Sequence, residues 1–372
     1  MRSEPACDTT NRFELNDLTN TDVKPTWTNY TGGDSITQVA TSDHAIYIGG
    51  HFRFLNNNLG SDGVGGPGSQ DRRGLAILDP LNGLVIQGWR SDRSPRGVGT
   101  FALAIEPEGL YIGDDTDFLN GSEHKKLKFL SITDNVIDRP EIPTLPATLI
   151  ANDTIAGIFN SSVFNGDTIS EAIPLSEAEL ASEPDELGDV NNLETNDTTE
   201  SMAENLPILA NEATAALSVG SRLIYATTSG DMRINEISNS SIGGTSVVNL
   251  LGLGEEQWPI SQLGGMFFDA EFSRVYYTLQ NNPTLFYRAF APDGTFFGEN
   301  AFEASEQADI LWADVTSMDV IDNQLYFTLG DNNNLYRAQI NGADVVSGTT
   351  MPISGPSIDG RSWGNTMLAF AQ

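Results

Sequence analysis

Three carboxylates fall within four residues, at Asp114, Asp115 and Asp117, and five arginines, Arg72, Arg73, Arg90, Arg93 and Arg96, gather around Trp89. The two clusters suit opposite chemistries. Ca2+ takes six to eight oxygen ligands from flexible loops, which makes the aspartate cluster a candidate calcium site. It departs from the EF-hand template, because Leu119 stands where an oxygen is needed. Guanidinium groups bind anions through bidentate hydrogen bonds and stack on aromatic rings, so Trp89, Arg90, Arg93 and Arg96 form a candidate site for an anion or acidic glycan. A second reading of the arginines stays open, in which they pair with Asp71, Asp79 and Asp92 and hold loops together.

Other chemistry is poorly supplied. Three histidines, His44, His51 and His124, argue against a multi-histidine zinc, copper or haem centre, and the one cysteine, Cys7, cannot form an internal disulfide. No Gly-x-Ser-x-Gly elbow, P-loop or dinucleotide fingerprint is present, which disfavours serine-hydrolase and nucleotide chemistry. Paired acids for a polysaccharide hydrolase or lyase remain available, but among 51 acidic residues that signal is unspecific. A formal charge of -32 repels phosphate backbones and anionic membranes, so nucleic acid is not an expected partner. No run of about 18 apolar residues is present to span a bilayer. The stretch from Met1 to Cys7 lacks the apolar core of a signal peptide. Only Lys24, Lys125, Lys126 and Lys128 are lysines, and a carboxylate-rich, ammonium-poor surface suits a salty or calcium-containing exterior or serves solubility alone.

The elements that must position these residues repeat. Tyr47-Ile48-Gly49-Gly50 and Phe54-Leu55-Asn56 align without a gap on Tyr111-Ile112-Gly113-Asp114 and Phe118-Leu119-Asn120. Near the C-terminus, Val275-Tyr276-Tyr277-Thr278-Leu279 and Phe286-Tyr287-Arg288-Ala289 recur as Leu325-Tyr326-Phe327-Thr328-Leu329 and Leu335-Tyr336-Arg337-Ala338. Leu223-Ile224-Tyr225 supplies a further anchor. A period of roughly 50 residues, built from short β-branched and aromatic runs between turn formers, fits a four-stranded propeller blade. The expectation is an all-β fold, a single β-propeller of five to seven four-stranded blades over residues 26–372, after an N-terminal extension at 1–25. Units fall near 36–90, 98–139, 212–253, 260–303 and 312–352, with a weaker one at 143–173. Asn365 to Phe370 is the expected closing strand, pairing near the N-terminus. The tyrosines Tyr47, Tyr111, Tyr225, Tyr276 and Tyr326 follow this period and are read as packing residues. Between Pro174 and Pro207 the chain has ten acidic residues and no basic or aromatic ones, which predicts a short helix from Ser176 and then a solvated loop.

The order Tyr47-Ile48-Gly49-Gly50-His51-Phe52, then Arg73-Gly74-Leu75-Ala76-Ile77-Leu78-Asp79-Pro80, Asn82-Gly83 and Trp89, resembles a repeat of bacterial secreted and cell-surface proteins. It is most similar to propeller regions of large exported actinobacterial proteins. Asp114-Asp115 depart from that pattern where a second glycine is usual, as do Lys126 and Ser131 where Arg and Asp are usual. The resemblance implies export and repeat architecture, and no settled activity. The functional expectation is a non-catalytic extracellular binding module for a surface glycan or protein partner. A carboxylate-based polysaccharide hydrolase or lyase and a self-assembling scaffold are the alternatives.

Overall fold

The computed structural model describes residues 9–13, 23–87, 89–91, 99–119, 122–131, 137, 139–140, 142–177, 207–238, 241–292, 295–305, 310–330, 332–364 and 366–371. Among these the chain is all-β, and six sheets of three or more strands follow one another in sequence, with three two-stranded pairs beside them. The first comprises Ile36–Thr41, Ile46–Gly50 and Leu75–Leu78, and the second Thr100–Glu106, Gly109–Asp114 and Leu127–Ser131. Ala147–Asp153, Ile158–Phe164 and Ile173–Pro174 belong to the third, and Ala213–Val219, Arg222–Thr227, Met232–Ser238 and Ser241–Val247 to the fourth. The fifth is built on Leu263–Asp269, Arg274–Leu279 and Leu285–Ala291, with Phe302–Ser305 at its edge. Val315–Ile321, Gln324–Leu329, Leu335–Asn341 and Met351–Ser354 make the sixth.

The tyrosine period marks one structural position. Tyr47, Tyr225, Tyr276 and Tyr326 all lie in the second strand of their sheets and are buried. Tyr111 holds the same position in the second sheet but remains 36% exposed, beside its cross-strand partner Phe129. The repeat therefore fixes where the ring sits in the strand, while burial depends on what covers that face.

The 143–173 unit is weak in sequence because one of its strands is remote. Leu368–Ala371 pairs antiparallel with Thr148–Ala151 of the third sheet. A strand is present where the closing strand was expected, but its partner lies in mid-chain rather than near the N-terminus. Side chains of neighbouring sheets satisfy its other edge: Leu368 N donates to Ser317 Oγ (2.7 Å), Phe370 N donates to Asp319 Oδ2 (2.6 Å), and Ser218 Oγ donates to Phe370 O. A buried strand edge needs such partners, since unpaired backbone groups are costly away from water. Around this strand Ala213–Val219, Leu263–Asp269 and Val315–Ile321 pack in succession, each against the next, and Leu368–Ala371 touches both Val315–Ile321 and Ala213–Val219.

Two sequence expectations meet their boundaries here. Ser176 and Glu177, where a helix was expected to open, form a strand pairing in parallel with Ser241 and Ile242. The rest of the acidic insertion, 178–206, lies outside the described residues, as does Cys7. Thr9–Arg12 pairs antiparallel with Trp27–Tyr30, so part of the N-terminal extension is a strand of the fold.

Candidate functional site

The aspartate cluster is tied to lysines. Asp114 accepts from the Lys128 ammonium, and both side chains are fully buried. Its Oδ1 also accepts from Thr116 N (2.9 Å) and Thr116 Oγ1 (3.0 Å). Asp117 lies 3.2 Å from Lys126 Nζ, and Asp115 Oδ1 accepts from Gly99 N at 3.1 Å. Two of the chain's four lysines thus provide the positive charge these carboxylates face. Among the described residues no three acidic, His or Cys side chains gather as a metal-binding group. Asp114, Asp115 and Asp117 lie at a strand end and the turn that follows, each beside a different partner.

The arginine cluster is partly assembled. Asp71 lies 3.3 Å from Arg73 and 3.8 Å from Arg90. Arg72 is buried, and desolvation, followed by the charge of Arg90, lowers its pKa to about 10. Trp89 packs against the core formed by Tyr47, Leu75 and Ile86. Asp79 serves Arg139 instead, in a bidentate pair of 2.6 and 2.7 Å. Arg93 and Arg96 lie outside the described residues. The open choice between anion site and structural pairing therefore tilts toward pairing for Arg73 and Arg90.

A small cleft that sequence reading did not single out lies between the N-terminal strands and the fifth sheet, partly open to solvent. Its two walls are stitched by Asn82, whose Nδ2 donates to Phe290 O (2.9 Å) and Ser273 O (3.3 Å), and by Asn58 N donating to Glu299 Oε1 (2.7 Å). One wall ends an aromatic ladder. Phe267, Tyr276, Tyr287 and Phe302 are direct cross-strand partners over four strands, with successive ring centroids 4.9, 5.6 and 5.1 Å apart. The outermost ring, Phe302, is 44% exposed and lines the cleft with Tyr287. Arg274 places its guanidinium 4.5 Å from the Tyr287 ring centre, a cation–π distance.

Two buried polar atoms on this lining stand without a hydrogen-bond partner among the described residues. Asn56 Oδ1 accepts from Asn29 Nδ2 (2.7 Å), but Asn56 Nδ2 has no acceptor. Glu299 Oε2 has no donor in hydrogen-bond geometry, and burial pushes the Glu299 carboxyl up to about 7 against the pull of the Asn58 and Leu59 N–H groups. Each is under 10% exposed. Asn56 was visible only as part of the repeated Phe-Leu-Asn, hence as architecture, and nothing in Gly298-Glu299-Asn300 marks a site.

No protein family and no curated protein matches the chain. Solved structures resemble it at low identity. A nidogen/laminin complex shows 10% identity and a TM-score of 0.21, covering 98% of this chain and 94% of that one. A functionally unknown protein from Desulfotomaculum acetoxidans DSM 771 shows 12% identity and a TM-score of 0.24, covering 91% and 90%. The computationally designed Ika8 protein shows 11% and 0.24, covering 84% and 86%. Likenesses this slight leave the site to be argued from its own geometry. No helix among the described residues is long and apolar enough to cross a membrane.

Proposed function

We propose that the chain is a non-catalytic, propeller-type binding module of the cell exterior that takes a surface glycan in the cleft beside the fifth sheet. The observation that carries this reading is the cleft's lining: a stacked aromatic edge, Tyr287 and Phe302, next to the polar side chains of Asn56 and Glu299. Binding sites commonly combine apolar walls with a few placed polar groups. The succession of small sheets supports the propeller reading, and 51 acidic against 19 basic residues support an exterior location.

Among the described residues Glu299 is the one carboxyl on this lining, whereas glycoside hydrolysis uses two, which favours binding over the hydrolase or lyase alternative. A glycan array probed with and without calcium tests the proposal. Retention of a defined glycan class, lost on Tyr287→Ala, is the expected result. Silence in both arms, with self-assembly seen by light scattering, overturns it in favour of a scaffold or assembly subunit.

A further inference from the structure

We infer that the outer face of the second sheet is an interface on which a second copy of this chain stacks to form a two-fold dimer. Tyr47, Tyr111, Tyr276 and Tyr326 are equivalent residues, since each follows the same bulge in its hairpin at the same distance in the register. Three of them pack against a neighbouring sheet. Tyr47 shares a core with Leu110 and Ile112 of the second sheet, Tyr276 with Met318 of the sixth, and Tyr326 with Leu149 and Phe164 of the third. The face that carries the tyrosine is thus the one on which these sheets receive another.

The second sheet has that face without the neighbour. Ala102 and Ala104 on one side of the middle strand, and Leu127 and Phe129 on the other, are direct cross-strand partners of Gly113 and Tyr111, so all of them share one face. It is open to solvent: Leu127 is 67% exposed, Phe129 is 41% exposed, and both alanines are exposed. The third sheet, next in the chain, packs against the fourth and the sixth instead. A contiguous exposed apolar patch marks an interaction surface.

Charge points to a second copy as the occupant. On a chain of -32, two copies can approach only where the repulsion is locally relieved, and three of the four lysines fall at residues 125–128, beside this face. Between its ends the face carries no charged side chain. Glu106 and Glu108 stand at the hairpin end, while Lys125 and Lys126 stand at the opposite end, where Asp117 shares Lys126. A two-fold axis across the strands lays the acidic end of one copy on the lysine end of the other, and apolar surface on apolar surface between them. The patch offers on the order of 300–400 Å2 a copy, and with its charged ends a stacked pair reaches roughly 1,200 Å2, the low end of specific interfaces, which suits a reversible micromolar dimer.

Sedimentation equilibrium of the full chain from about 1 to about 200 μM tests this, in roughly 0.15 M salt to screen the net charge and with a reductant so that no Cys7 disulfide joins two chains. The average mass is expected to climb from monomer toward dimer. Leu127→Glu, which sets two like charges into the dimer interface, should weaken association at least roughly tenfold. Ala104→Glu should do the same, and it carries the test if circular dichroism shows that Leu127→Glu does not fold. A monomer at every concentration overturns the inference and leaves the face to a sheet of another chain. A dimer that persists in the folded variants overturns it as well, because the contact then lies elsewhere. The face shares no residue with the cleft, so glycan binding and dimer formation are separate results.

Discussion

Lys128 and Asp114 form an ion pair between an edge strand and the adjacent middle strand of the second sheet, with neither side chain exposed to solvent. Lys128 Nζ also donates to Thr116 O (2.9 Å) and Thr116 Oγ1 (2.8 Å), so the ammonium is held by three partners. Removing one member of a buried pair strands the other charge in the interior. Lys128→Met is therefore expected to lower unfolding free energy by about 3–5 kcal/mol, and Lys128→Met with Asp114→Leu to recover most of that loss. Urea unfolding of the wild type, each single variant and the double variant checks this; strictly additive losses would mean that the pair is not coupled.

The same pairing predicts how the protein responds to calcium. Asp114 and Asp117 each face a lysine, and these ammonium groups must leave before a divalent cation can gather the three carboxylates. Melting temperatures in calcium and in chelator are expected to coincide. A calcium-dependent rise that disappears in Asp117→Asn would support the calcium reading of Asp114, Asp115 and Asp117.

Asp319 predicts an unusual pH dependence. Its side chain is buried against the Leu368–Ala371 strand, and desolvation pushes its pKa from the ordinary 3.8 to about 7, against the pull of the Phe370 and Val320 N–H donors. Between these values the folded protein keeps a proton that the unfolded chain has released. The folded state is therefore favoured below about pH 4, and this contribution is lost as pH rises through about 7. At roughly 1.4 kcal/mol per unit the ceiling is on the order of 4 kcal/mol. Glu299, also raised to about 7, acts in the same direction. Unfolding free energy should fall from pH 5 to pH 8, with a shallower slope in Asp319→Asn; a rise over that range would contradict the assignment.

The sequence exposed the fold where repetition is local and concealed it where the chain returns from afar. Tyr276 and Tyr326, 50 residues apart in numbering, occupy equivalent buried positions, because each belongs to a hairpin whose strands are adjacent in sequence. The third sheet was faint because Ala147–Asp153 takes a neighbour more than two hundred residues downstream, and no period reports that pairing. The site was less legible still. Asp114, Asp115 and Asp117 attract attention by spacing, yet spacing does not show that Lys128 comes beside Asp114 across the sheet. Conversely, Asn56 and Glu299 meet the same cleft from opposite parts of the chain and carry no local motif. Burial of their polar ends is what distinguishes them, and burial is a property of the folded chain.

Gly83 offers a last test, because it joins the N-terminal strands to the cleft. Its φ is +74°, and a Cβ there would lie 2.2 Å from the Trp27 ring. Trp27 has no easy retreat: its Nε1 donates to Pro80 O (2.9 Å), and Asn29 Nδ2 donates to Gly83 O (2.8 Å). Gly83→Ala thus combines left-handed backbone strain with displacement of a buried ring, together about 2–4 kcal/mol. Gly157 supplies the control, with φ +69° and nothing within 4 Å of an added Cβ, so Gly157→Ala should cost only the strain, about 1 kcal/mol. Denaturant unfolding of both variants measures the two costs, and their difference isolates the clash. Tryptophan emission should shift to longer wavelength in Gly83→Ala alone, since Trp27 is the ring forced toward water. Equal costs with unchanged emission would show that Trp27 accommodates the methyl group and does not define that wall of the cleft.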